Sequence, residues 1–210
     1  MFEINENLSI KESFVNNSKI FTIDNFYTNP DDIVKYLNEN SLNYHKNHVP
    51  SFNGIYFQDM RHVIENFEIK KVYSFIGSIC KSTSKLENCI TTNFTRFLDH
   101  PFNDYERSYW WPHTDSGYTG IIYLNQNDEN NGTNLYLNLY PDEEPPKNIP
   151  EHLEPWRKKE KYMLLKTLSP KYNRLVLFDA KKFIHGMNIC DKKYFNGQFR
   201  MNQVFFFDSI

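Results

Sequence analysis

Trp111-Pro112-His113-Thr114-Asp115, followed by Thr119-Gly120-Ile121-Ile122-Tyr123-Leu124-Asn125, is the stretch around which the chain is organised. His113 and Asp115 stand two residues apart. In an extended segment, side chains at that spacing project to one face. An imidazole and a carboxylate side by side make two-thirds of a metal site. The missing third is a second histidine returned by the fold. His185, in Phe183-Ile184-His185-Gly186, is the candidate.

Working outward, the chain from residue 90 reads as short alternating strands. Ile90 to Leu98, Tyr109 to Asp115, Thr119 to Asn125 and Leu135 to Tyr140 come first. Lys161 to Leu168, Arg174 to Phe178, Phe183 to Ile189 and Phe199 to Phe207 follow. Turn signals such as Asn130-Asn131-Gly132 and Asn196-Gly197 separate them. Strands of this number and length predict a sandwich or barrel, with the double-sheet jelly roll as one solution. Residues 141–158 break the rhythm, with five of the ten prolines. A connection this long in a compact β domain is either a lid or binding loop, or a surface excursion with no role.

The N-terminal part differs. Residues 1–19 form a polar lead-in with one short strand, and Lys19 to Phe26 reads as a strand. Asn29-Pro30-Asp31-Asp32 starts a helix: Asn caps, Pro suits the first turn, and two Asp favour the positive end of the dipole. Residues 41–59 read as loop with a short strand. The spacing of Val63, Phe67, Val72, Phe75, Ile76 and Ile79 predicts a second helix from Arg61 to about Ser82, packed on a sheet. His62 falls on that helix.

Composition bounds the rest. The 210 residues make one domain, long enough for a proper core, and 17% of them are aromatic, which favours strands. With a formal net charge of -2, no strongly basic balance argues for a nucleic-acid surface. Cys80, Cys89 and Cys190 lack a C-x-x-C pair, so reduced intracellular thiols are expected rather than a disulfide framework. The acidic N-terminus does not read as a signal peptide, and no apolar run reaches the roughly 20 residues of a spanning helix. A protein with no membrane segment, in the cytoplasm, is the expectation.

Two histidines and one carboxylate on one face of a metal leave the other face open, the arrangement of the facial triad in non-haem Fe(II) oxygenases. When a 2-oxo acid chelates such a metal, its distal carboxylate needs a cation. Arginine suits this through its planar fork. Arg200 lies in the last strand and shares a face with Asn202, Val204 and Phe206. A guanidinium in such surroundings is costly unless an anion meets it, whether a ligand or an Asp or Glu of the chain.

Several segments together resemble the Fe(II)/2-oxoglutarate-dependent dioxygenase superfamily, and within it the small prolyl-4-hydroxylase-like members. They are His113-Thr114-Asp115 and Gly120-Ile121-Ile122-Tyr123-Leu124-Asn125, then the Gly132-Thr133 turn, similar to the family's Gly-Gly-x-Thr. Arg174-Leu175-Val176-Leu177-Phe178 leading to His185 comes next, and Arg200-Met201-Asn202 closes the set. The resemblance covers roughly residues 90 to 207. Asp24-Asn25-Phe26 and Asn29-Pro30 resemble the lead-in of some uncharacterised small oxygenases.

The resemblance implies a mainly β (α+β) fold: a double-stranded β-helix, jelly-roll or cupin-like, with supporting N-terminal helices. It implies one oxygenase domain over 1–210, in which 1–89 packs on a core over 90–210 with a Pro-rich insert at 141–158. His113, Asp115 and His185 would ligate Fe(II). Arg200 would bind the distal carboxylate of 2-oxoglutarate, with Arg174 as second choice. Tyr109 stands near the co-substrate or packs in the core, and Thr133 and Asn202 line the pocket. The implied reaction uses O2 and 2-oxoglutarate to hydroxylate an unactivated C–H bond of a peptidyl residue, free amino acid or other small molecule, releasing succinate and CO2. Arg200 departs from the Lys usual in prolyl 4-hydroxylases proper, which puts prolyl specificity in doubt. Asp115 has not been shortened to Gly or Ala as in the related halogenases, which favours hydroxylation.

Two rivals stand beside this reading: a cupin-like metalloenzyme that does not use 2-oxoglutarate, and a non-catalytic jelly-roll binding module. Trp110, Trp111 and Tyr118 form an aromatic wall near the metal or belong to the core. His45 and His48 have a spacing that suits a metal but sit in a polar loop, which favours solvated side chains; His100 and His152 read as loop residues, and Arg96 contacts substrate or pairs with an acid.

Overall fold

The chain begins with a hairpin. β1 (Ser9–Val15) turns back into β2 (Ser18–Asp24) through Asn16 and Asn17, at φ 44° and 61°. A two-residue hairpin needs that hand of backbone, and asparagine tolerates it. The structure is a computed structural model and describes residues 1–39, 45–50, 56–64, 66–81, 91–98, 106–141, 156–190 and 200–207. For 45–50, 56–63, 66–68 and 91–98 it describes the course of the backbone.

After the hairpin come α1 (Pro30–Glu39), β3 (His45–Pro50), β4 (Tyr56–Val63), α2 (Asn66–Cys80) and β5 (Thr91–Leu98). β6 (Ser108–Trp110), β7 (Tyr118–Tyr123), β8 (Thr133–Asn138) and β9 (Trp156–Lys158) follow. A 3-10 turn (Lys159–Lys161) leads into β10 (Tyr162–Leu168), β11 (Arg174–Asp179), β12 (Ile184–Met187) and β13 (Arg200–Phe207). The protein is thus mainly β, with two α-helices among the described residues. A large antiparallel sheet runs β1-β2-β11-β7-β13-β5-β4-β3, a smaller one runs β10-β8-β12, and β6 pairs with β9. These sheets do not close into a barrel.

Period-two alternation gives the large sheet two different faces. One carries Phe21, Ile23, Ile122, Leu175, Leu177, Met201, Phe205 and Phe207 into a core with Ile33 and Leu37 of α1 and Ile69, Val72, Tyr73 and Ile76 of α2. The other carries Ile20, Ile121, Tyr123, Val176 and Phe178, which pack with Leu135 and Leu168 of the small sheet. The two sheets therefore lie face to face over a second core. Each large apolar side chain so buried contributes about 1.5–3 kcal/mol.

Most expected elements stand within a residue or two of their positions. Two do not. The second helix does not begin at Arg61: residues 56–63 form β4, and α2 starts at Asn66. His62 is therefore on a strand, paired with Thr92. Pairing on both sides, to β3 and β5, overrides the apparent helical spacing there. The strand expected over Tyr109 to Asp115 ends at Trp110, because Trp111 turns to φ 45° and Pro112 has no amide hydrogen to donate. His100, His152, Asn196-Gly197 and residues 142–155 of the Pro-rich insert lie outside the described residues. No helix among the described residues is long and apolar enough to cross a membrane.

Candidate metal centre

His113 and Asp115 reach one another without a strand between them. After the turn at Trp111, His113 forms an isolated antiparallel bridge with His185 on β12. His113 N donates to His185 O at 2.9 Å and His185 N returns a bond to His113 O at 2.8 Å. This reciprocal pair fixes the two histidines side by side, with ring centroids 4.4 Å apart. Asp115 N donates to Ala180 O at 3.4 Å, which tethers the carboxylate to the same end of the sheets. Gly186 permits the close approach: a Cβ there would lie 2.4 Å from Trp110 O.

The three side chains converge. Asp115 Oδ2 is 3.2 Å from His185 Nε2, and Oδ1 is 3.9 Å from His113 Nε2. One ligand atom from each residue lies within 4.8 Å of the others. Each histidine turns its Nδ1 to a backbone carbonyl, His113 to Trp111 O at 2.7 Å and His185 to Phe183 O at 3.4 Å. Such bonds set the tautomer and leave Nε2 as the donor toward a metal. His185 is buried against the Phe178 ring, while His113 and Asp115 are half-buried. Burial pushes the Asp115 carboxyl up. The hydrogen bond and charge of His185, the charge of His113 and the Thr119 hydroxyl outweigh it and hold the group below its ordinary value. An anionic carboxylate beside two imidazoles is a donor set for a divalent transition metal.

Arg200 lies deeper between the sheets and is 7% exposed. Its Nε donates to Asn131 O at 3.2 Å and a terminal nitrogen to Gly132 O at 3.4 Å. The guanidinium carbon is 5.7 Å from the centre of the Tyr123 ring. Tyr123 Oη and Thr133 Oγ1 share a hydrogen bond of 2.9 Å. Gly132 is obligatory here, since a Cβ would meet Leu168 O at 2.0 Å. Asn202 follows Arg200 on the same face. It is 4% exposed, and its Oδ1 has no hydrogen-bond partner among the described residues.

Of the other expected site residues, Trp111 stands beside the triad, and the rest have partners of their own. Tyr109 lies against Tyr136, ring centroids 4.4 Å apart. Tyr136 alternates with Leu135 and so faces away from the core between the sheets. Arg174, the second choice for the carboxylate clamp, is committed to Asp24 through Nε at 2.5 Å and a terminal nitrogen at 3.2 Å. Trp110 packs edge-on against Trp156, and Trp111 lies edge-on to His113 with centroids 6.3 Å apart. Sequence reasoning assigns Tyr123 and Thr119 no role. Their signal was parity: on β7, Thr119, Ile121 and Tyr123 share the face that carries the site.

No protein-family model and no curated protein matches the chain. Among solved structures it is similar to a bsmA homolog from Methylobium petroleophilum PM1, at 10% identity and a TM-score of 0.45, over 88% of this chain and 83% of that one.

Proposed function

We propose that the protein is an Fe(II)- and 2-oxoglutarate-dependent dioxygenase that hydroxylates a C–H bond of a small-molecule or peptidyl substrate. The observation that carries this reading is the pairing of two sites on one face. The His113-Asp115-His185 cluster stands at one end, and Arg200 with Tyr123 and Thr133 stands at the other. Along β7 the two ends are four residues apart, about 13 Å of strand. The Ile121–Val204 register pair lies between them. A five-carbon dicarboxylate is shorter than that backbone span, and the bound metal with the Arg200 and Tyr123 side chains would cover the rest.

The topology supports a double-stranded β-helix. Strand pairing is nested: β5 with β13, the His113 segment with β12, β7 with β11, and β8 with β10. First pairs with last and second with next-to-last, as in a long hairpin rolled into two sheets.

The residues fit the groups. Two imidazole nitrogens and a carboxylate suit Fe(II) and leave positions open. Arg200, with the Tyr123 and Thr133 hydroxyls, suits the distal carboxylate through charge-assisted hydrogen bonds. With both groups and O2 bound, the chemistry supplied is insertion of one oxygen atom into C–H, the other entering succinate as CO2 leaves. The chain itself holds the metal ligands, orients the 2-oxo acid along the sheet and keeps water out of the deep end.

Anaerobic titration of the purified protein with Fe(II) and then 2-oxoglutarate tests the reading. A visible charge-transfer band that needs both additions, and is lost in His185→Ala, is the expected result. Metal binding without a band would favour the cupin-like alternative, and absence of metal binding the non-catalytic module.

A further inference from the structure

We infer that Thr119 is a positioning residue for the metal, its hydroxyl fixing the orientation of the Asp115 carboxylate. The inference rests on the reading of the triad as a metal centre. Thr119 Oγ1 donates to Asp115 Oδ2 at 3.1 Å. The same oxygen faces His185 Nε2 at 3.2 Å, while Oδ1 faces His113 Nε2 at 3.9 Å.

The two partners differ in how firmly the backbone holds them. Asp115 sits on an irregular connection between Trp111 at φ 45° and Gly117 at φ 100°. The terminal torsion of an aspartate is broad, so the backbone alone leaves its carboxylate free to swing. Thr119 is 1% exposed and lies inside β7, in register with Phe178 on one side and Phe206 on the other. Its branched Cβ restricts the first torsion. The hydrogen bond therefore transfers the rigidity of the central strand to a ligand carried on a loop. It also occupies one lone pair of Oδ2. That favours coordination through a single carboxylate oxygen and keeps a further metal position open for other ligands.

The test is Co(II) titration of the full chain, followed by visible absorption, in the wild type and in Thr119→Val, Thr119→Ala and Thr119→Ser. Val keeps the shape of the side chain and Ala removes it; neither has the hydroxyl. Both should weaken Co(II) binding about 10- to 100-fold, the range for loss of a group that orients a metal ligand. Both should also change the shape of the cobalt band, and Ser should restore affinity and band together. Unfolding of the metal-free variants reports separately on the strand. Unaltered affinity and band in Val and Ala overturn the inference. So does a Ser variant as weak as Val, which would assign the effect to side-chain shape. A wild type that fails to bind Co(II) overturns the metal centre itself, and the inference with it.

Discussion

The two faces of the large sheet are built by the same strands one residue out of step, and they differ in kind. Toward the helices, β13 turns Met201, Phe205 and Phe207 into an apolar and aromatic core, in which the one polar member from this strand, Gln203, accepts a hydrogen bond from the Tyr27 hydroxyl. Toward the small sheet it turns Arg200, Asn202 and Val204, all buried. β7 repeats the contrast, with Ile122 on one side and Thr119, Ile121 and Tyr123 on the other. Burying a guanidinium, an amide and a phenol is unfavourable by itself. The helix-side core offsets that cost and holds the strands in register. On the proposed reading, stability and chemistry are divided by strand parity, and a substitution one position along the chain should change which of the two is affected.

Phe205→Ala tests the stability side. Phe205 is fully buried, its ring 5.4 Å from that of Tyr73. Truncation should cost about 3–5 kcal/mol, read as a lower urea midpoint. Metal affinity of the folded protein should stay as in the wild type. A parallel fall in affinity would break the separation of the two faces. Arg200→Ala tests the chemical side. It should raise the 2-oxoglutarate concentration needed for the charge-transfer band about 30-fold or more, the lower end for loss of a buried charged partner. Metal binding should be retained. An unchanged requirement would remove Arg200 from the clamp and point to Arg174, which is paired with Asp24 here.

How far the sequence revealed this division depended on which residues were unusual for their setting. His113, Asp115, His185 and Arg200 are polar groups in strand-rich, aromatic surroundings, and they stood out. The first three do converge, although on a turn and a bridge rather than on the continuous strand expected. The left-handed backbone at Trp111 has no signature, since tryptophan is not a residue that favours it. Thr119 and Tyr123 were hidden for the opposite reason: threonine and tyrosine are among the commonest strand formers. The strand β4 is not legible because pairing with β3 and β5 on either side decides it, and the helix-like spacing from Val63 onward masks where it ends. The pairing of Arg174 is not legible because its partner, Asp24, is 150 residues away in sequence.

The Asp24–Arg174 pair gives the smallest expected effect and sharpens the comparison at its edge. By register Arg174 opposes Tyr123, on the chemical face, yet its fork is occupied by a carboxylate of the chain. Hydrogen bonding to Arg174 is the main reason the Asp24 carboxyl is held down, against the opposing effect of burial, to about 2 from an ordinary 3.8. Lys171 adds to it at 3.1 Å. A carboxyl depressed in the folded state contributes its full stability above the unfolded value and loses it as pH falls toward the folded one. Asp24→Asn should therefore lower stability at neutral pH by about 1–2 kcal/mol, between the ranges for exposed and buried pairs. The gap from the wild type should close as pH falls from about 4 to about 2. Urea midpoints at successive pH values measure this, with 2-oxoglutarate affinity followed alongside. A gap that persists at pH 2 would mean packing, not charge, holds the pair together. A gap accompanied by weakened 2-oxoglutarate binding would mean Arg174 belongs to the co-substrate end after all.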